Sequence, residues 1–194
     1  MTAKIKLNAA SGGGSFSLQA PSSSANNRVI TLPDIADGTL LTNKTTGTVL
    51  QVVNTLFTTP VTSTSASYET ISGFNATITP SATSSKILIM VSAYSSTRNA
   101  VTTKFSIFRS VGGSETDLRT HQGGADDFMF VHKDQDENMV TTSYTHLDSP
   151  NTTSAVTYLI KWKGDSTQLK ALNRLDSGEH YQGNSTMTLM EVAA

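Results

Sequence analysis

From Thr48 onward the chain is written in short runs of Val, Ile, Thr, Tyr and Phe, each broken by Gly, Pro, Asn, Asp or Ser. β-Branched and aromatic side chains suit a pleated, half-buried surface, and the breakers are turn formers. The pattern predicts strands over Thr48–Leu56, Ala66–Ile71, Phe74–Ile78, Lys86–Tyr94, Val101–Arg109, Phe128–Val131, Asn138–Thr145, Ala155–Lys163, Gln168–Leu172 and Ser185–Glu191. Turns are expected at Ser72-Gly73, Thr79-Pro80, Gly112-Gly113, Gly123-Gly124, Ser149-Pro150-Asn151 and Gly164-Asp165. No amphipathic helix of useful length accompanies them. Many short strands at this spacing predict an all-β sandwich or barrel, with a jelly roll leading.

Alternation assigns faces. Tyr158, Ile160 and Trp162 share one side of their strand, and Leu159, Lys161 and Lys163 the other. Apolar and polar residues nearly alternate from Thr186 to Val192, as in a half-buried strand. The longest apolar run, Ile87-Leu88-Ile89-Met90-Val91, is far short of the roughly 18 residues that span a membrane.

Residues 1–46 read differently. Ser11-Gly12-Gly13-Gly14-Ser15 is a flexible linker and Pro21-Ser22-Ser23-Ser24-Ala25-Asn26-Asn27 is turn-rich. Short extended pieces lie between and after them: Phe16-Ser17-Leu18, Val29-Ile30-Thr31-Leu32 and Thr39-Leu40-Leu41. Such a segment buries too little apolar surface to offset its ordering entropy, so it needs another surface to lie against. The expected division is an extended low-complexity arm, 1–46, and a β-domain, 47–194.

Charged residues are 15% of the chain and the net charge is -1; 55 of the 194 residues are Ser or Thr. A near-neutral chain has no electrostatic footprint for nucleic acid or an anionic membrane. Cysteine is absent, which excludes disulfides, thiolate metal sites and a Cys nucleophile together. A stable particle without disulfides needs another staple, and oligomerisation supplies one. The first residues lead into a Gly/Ser stretch, so no signal peptide is expected.

A search for chemistry finds little. There is no Gly-x-Ser-x-Gly elbow, phosphate loop or dinucleotide fingerprint. His121, His132, His146 and His180 lack metal-ligand spacing and read as loop or strand histidines. Asp134-Gln135-Asp136-Glu137-Asn138 opens like a calcium loop, but Met139 holds the place of its glycine and Thr145 that of its closing Glu. A solvated loop is the better reading, with a weak calcium site at 134–138 as the alternative. Asp126-Asp127 is a poor acid–base pair, because adjacent residues on extended chain face opposite ways. Asn-x-Ser/Thr patterns such as those at Asn75, Asn151 and Asn184 are expected by chance in a chain this rich in hydroxyls. The expectation is therefore no enzyme, no cofactor and no metal.

One stretch stands apart. From Thr116 to Asn138 the strand pattern thins into a segment with Gly123-Gly124, His121, His132, Phe128, Met129, Phe130 and six acidic residues. Long polar loops with embedded aromatics on a rigid scaffold are where binding tends to reside. Aromatic faces stack on sugar rings and carboxylates accept bonds from hydroxyls. Asp126, Phe128, His132, Asp134 and Asp136 are the candidate receptor-binding residues. The competing reading makes Phe128 and Phe130 strand residues facing the core or a subunit interface.

The arm carries Gly14-Ser15-Phe16-Ser17-Leu18-Gln19-Ala20-Pro21, then Asn27-Arg28-Val29-Ile30-Thr31-Leu32-Pro33-Asp34 and Gly38-Thr39-Leu40-Leu41. This order resembles a segment recurring in tail-fibre and other virion proteins of bacteriophages, especially marine ones. The β-domain resembles their C-terminal domains through Val49-Leu50-Gln51-Val52-Val53, Ile78 to Ile89, Leu147 to Ser154 and Ser185 to Glu191. The resemblance implies a homotrimeric jelly-roll head of the tumour-necrosis-factor and C1q type, with the terminal strand central. Apolar side chains such as Ile87, Ile89 and Met90 would meet their copies there. It further implies a virion structural protein: a tail fibre or its receptor-binding tip, attached through residues 1–46 to a baseplate, adaptor or capsid protein and recognising a host glycan. The shortness of the chain favours the alternative, a capsid decoration protein or head fibre.

Overall fold

The computed structural model describes residues 4–8, 10–19, 22–23, 25, 46–97, 102–118, 130–133, 139–175 and 182–194. The chain separates into two compact units, Met1–Thr39 and Leu40–Ala194. In the first, β1 (Lys4–Asn8) and β2 (Ser15–Gln19) pair as an antiparallel hairpin. Register sets Ile5 opposite Leu18 and Leu7 opposite Phe16, so apolar positions share one face. Ile5 and Leu7 are both largely exposed. Val29–Leu32 and Thr39–Leu41, expected as extended pieces, lie outside the described residues.

The second unit contains β3 (Val49–Phe57), β4 (Val61–Ser63), β5 (Glu69–Ile78), β6 (Lys86–Thr97), β7 (Thr102–Val111), β8 (Ser114–Asp117), β9 (Phe130–Lys133), β10 (Val140–Asp148), β11 (Val156–Gly164), β12 (Lys170–Leu172) and β13 (Ser185–Val192). They form two antiparallel sheets, as in a β-sandwich, and no helix occurs among the described residues. In the first sheet β3 pairs with β13, β13 with β6, and β6 with β10; β12 also pairs with β6, and β4 with β12. In the second the order is β5-β11-β7-β8, with β9 also on β7.

The inner faces meet in one core. Ile87, Ile89 and Val91 of β6 and Met187 and Leu189 of β13 pack with Phe74, Ile78, Phe105, Ile107, Tyr158, Ile160 and Trp162 of the second sheet. The face assignment of Tyr158, Ile160 and Trp162 holds: each is essentially inaccessible. Burying side chains of this size contributes roughly 1.5–3 kcal/mol each.

Two expectations need correction. Ile87 and Ile89 are fully buried in the core rather than turned to a partner; Leu88 and Met90 hold the outward positions of that run. Ser72-Gly73 is not a turn between two strands but a bulge inside β5. Register with β11 shifts between Leu159, opposite Asn75, and Lys161, opposite Thr70. Gly73 adopts φ +84° there, a conformation that favours glycine, and the Phe57 ring lies against it. The Gly112-Gly113 turn is as expected. Both residues have positive φ, the two-residue geometry that matches strand twist, and Val111 pairs with Ser114 across it.

Register also shows which strand termini share each end of the sandwich. Gly47 donates to the Ala193 carbonyl and Ala193 to the Thr48 carbonyl, so the chain enters β3 beside the last strand. That end carries the connections 79–85 and 149–155, seven residues each, and the turn 112–113. At the opposite end β6, β7, β9, β10, β12 and β13 start or finish. β8 and β9 lie in line along β7, with 118–129 inserted between them.

Candidate functional site

Of the residues singled out for receptor binding, Asp126, Phe128, Asp134 and Asp136 lie outside the described residues, as does the calcium-like segment 134–138. His132 falls in β9, its backbone opposite Thr103 of β7. Phe130 is a strand residue opposite Phe105, two positions later than the strand start expected at Phe128.

The described surface with the most distinctive chemistry is the outer face of the first sheet, which no local motif announced. Four strands bring its rows together. Val52 of β3 stands opposite Met190 of β13, Met190 opposite Leu88 of β6, and Leu88 opposite Leu147 of β10. The next row is Asn54, Thr188, Met90 and Thr145, and the third is Leu56, Thr186, Ser92 and Ser143. Asn54 Nδ2 donates to Thr188 Oγ1 at 2.7 Å. None of these twelve residues is charged. Val52 is 55% exposed, Leu56 57% and Leu147 51%. With Val49 and Val140 they make up the exposed large hydrophobic residues described in this unit, and all five lie on β3 or β10, the outer strands of this sheet.

Beneath this face sit buried polar groups that fix its register. Glu191 keeps the alternation of β13 but puts a carboxylate at an inward position, where it is fully buried. It accepts bonds from the Ser81 amide at 2.6 Å, Ser81 Oγ at 2.7 Å and Gln51 Nε2 at 2.5 Å. Burial alone would push its pKa up, but the hydrogen bonds from Ser81, Gln51 and Ser85 outweigh burial and hold it below the usual carboxylate value. With Met187, Leu189 and Glu191 inward, Met190 and Val192 stand on the outer side of the strand.

A second group ties the sheets together. Asp148, at the end of β10, receives Arg109 Nη1 at 2.9 and 3.0 Å and Tyr158 Oη at 2.7 Å. Burial, then the hydrogen bond to Asp148, push the Tyr158 hydroxyl far above its ordinary pKa, so it stays a donor. His146, on the same strand face, has its pKa lowered by burial, partly countered by Asp148. A third group surrounds Lys170, which is inaccessible: its Nζ donates to Ser63 Oγ and the Ser65 carbonyl, both at 2.8 Å, and lies 5.0 Å from the Trp162 ring centre. Burial lowers its pKa, with Glu69 at 3.6 Å opposing. These groups are satisfied within the fold, and their geometry is that of internal anchors.

No family model matches the chain, and no curated protein matches it. A similar solved structure is described as the structure of infectious bursal disease virus Gx strain. The likeness has a TM-score of 0.37 at 13% identity and covers 86% of this chain and 47% of that one, so this chain spans about half its length. A likeness that low assigns neither fold nor role.

Proposed function

We propose that the chain is a bacteriophage virion structural protein: a tail fibre or receptor-binding tip that works as a homotrimer in host attachment. The observation that carries this reading is the outer face of the first sheet, whose three rows are uncharged and leave Val52, Leu56 and Leu147 exposed. A module completed by copies of itself has such a face. Residues 1–46 anchor it to a baseplate, adaptor or capsid protein. The connections around 116–138 meet the receptor, taken here to be a surface glycan, by binding alone and without catalysis.

Two further points support the reading. The strand orders β3-β13-β6-β10 and β5-β11-β7-β8 interleave as in a jelly roll, with terminal strand β13 inside its sheet. The motifs of the arm and of β3, β5–β6, β10–β11 and β13 resemble those of phage fibre proteins. Several weak sites per trimer, on several trimers, sum to strong adsorption.

Gold-labelled antibody against the β-domain, applied to phage particles, tests it. Label at the tail is the expected result. Label on the head converts the reading to a capsid decoration protein or head fibre, and bare particles remove the virion role. Purified protein added before the phage should also slow adsorption to host cells.

A further inference from the structure

The interior of the sandwich changes character where β6 finishes and β7 begins. The inward row of β6 runs Ile87, Ile89, Val91, Ala93, Ser95, Thr97, so its side chains shrink and turn polar toward that end. The inward row of β7 begins on Thr103, ahead of Phe105 and Ile107. Only residues 98–101 join the two strands, so Thr97 and Thr103 occupy the same end of opposite sheets. Ser95, Thr97 and Thr103 are fully buried, and Ser95 Oγ, Thr97 Oγ1 and Thr103 Oγ1 have no hydrogen-bond partner in the protein. A buried hydroxyl in that state loses its hydration and gains nothing in return, and three gathered at one end point to a common partner.

Room for that partner is built in. Thr103 stands opposite Gly164 in register, a position without a side chain. With packed sheets about 10 Å apart, Ala, Ser and Thr leave space that Ile and Val fill farther along the same row. Neighbouring charges restrict what can enter. Lys170, inaccessible, stands opposite Thr97, and its Nζ lies 3.6 Å from Glu69 Oε1. A cation would meet the ammonium and an anion the carboxylate, whereas water is neutral and both donates and accepts, as a hydroxyl does. We propose that this end of the sandwich is a buried hydration site, in which ordered water bonded to Ser95 Oγ, Thr97 Oγ1 and Thr103 Oγ1 bridges the two sheets.

Thr97→Val and Thr103→Val test it in the full chain, since each exchanges a hydroxyl for a methyl of similar shape. A hydroxyl buried dry is a burden, and its removal should raise stability; a hydrated one is an anchor, and the same removal should lower it. Chemical denaturation should show the folding equilibrium constant reduced about fivefold in each variant. Oxygen-17 magnetic relaxation dispersion, which counts water held longer than the protein takes to tumble, should find fewer such waters in each variant than in wild type. Unchanged or raised stability in either variant overturns the proposal, and so does an unchanged water count. If a valine variant does not fold, Ser95→Ala replaces it and is read by the same two measurements.

Discussion

The outer faces of the two sheets are built from the same strand chemistry and finished differently. On the second sheet Lys161 Nζ reaches Glu115 at 2.6 Å and lies 4.4 Å from the Phe108 ring centre. Lys163 stands over Tyr68, Tyr68 meets Phe108 edge-on at 6.1 Å, and Thr77 bonds Thr157 at 2.8 Å. Its borders are a bulged β5 and a short, acidic β8. Bulges, charges and short edges discourage pairing with another chain. The first sheet has none of these along β3 from Gln51 to Phe57, which is regular, uncharged and apolar outward. One face is complete in a single copy, whereas the other has its polar groups satisfied and its apolar groups bare. The difference teaches which face a second copy would have to cover under the homotrimer proposal.

The largest expected effect breaks the comparison at its centre. Leu88→Lys puts a charge in the middle of the apolar row and should weaken self-association by at least 100-fold, read as half-dissociation concentration. Lys introduced at Thr157, on the finished face, should leave association unchanged. Equal sensitivity of the two faces would remove the distinction.

The next effects ask whether the bare face depends on the anchors beneath it. Asp148→Ala strands the Arg109 guanidinium and the Tyr158 hydroxyl, and removing one partner of a buried pair costs roughly 3 kcal/mol or more. Chemical denaturation should show that loss without a change of m-value. Glu191→Gln keeps the shape but removes the charge, and should cost roughly 1–2 kcal/mol. The pH dependence has a definite sign. The folded pKa of Glu191 lies below its ordinary value, so its contribution is present above pH 4.5 and lost as pH falls through the folded value. Glu191→Gln should flatten that acid limb.

His146 gives a smaller effect at milder pH. Its folded pKa is lowered, so on acidification the unfolded chain binds the proton first. Stability should decline as pH falls below 6.5 toward the folded pKa, and His146→Gln should remove that part of the decline. Thermal melting at pH 7.5 and 5.5, in wild type and variant, reads it.

Much of this frame was legible in the sequence. Period-two alternation located β3, β6, β7, β10, β11 and β13 to within a few residues, because each buries one face. β4 and β8 escaped: Val61-Thr62-Ser63 and Ser114-Glu115-Thr116-Asp117 are short, and the second is polar throughout. The run from Ile87 to Val91 is apolar at every position, so composition cannot say which residues turn inward. Cross-strand register decides that, and it chose the isoleucines. Glu191 misled the pattern in the same way, since a buried carboxylate is recognisable only once Ser81, Ser85 and Gln51 are seen around it. The apolar row draws single residues from positions 52, 88, 147 and 190, a grouping with no local signature. The receptor-binding candidates were chosen from loop composition, and four of the five lie outside the described residues.

The smallest expected effect sharpens the comparison from the finished side. Lys161 is partly exposed and its partner Glu115 more so, with side chains 18% and 38% accessible. An ion pair at such a site is worth about 0–1 kcal/mol, and salt screens it. The Phe108 ring beneath the ammonium adds a contact that salt weakens less. Glu115→Gln should therefore lower stability by at most about 0.5 kcal/mol, and that loss should vanish in 1 M salt. Lys161→Ala should lose slightly more and keep part of the loss in salt, since it also uncovers Phe108. Neither should change the solution mass. A finished face is one whose charges can be deleted with only local consequences. If Glu115→Gln altered assembly, the second sheet would be an interface as well, and the contrast between the two faces would collapse.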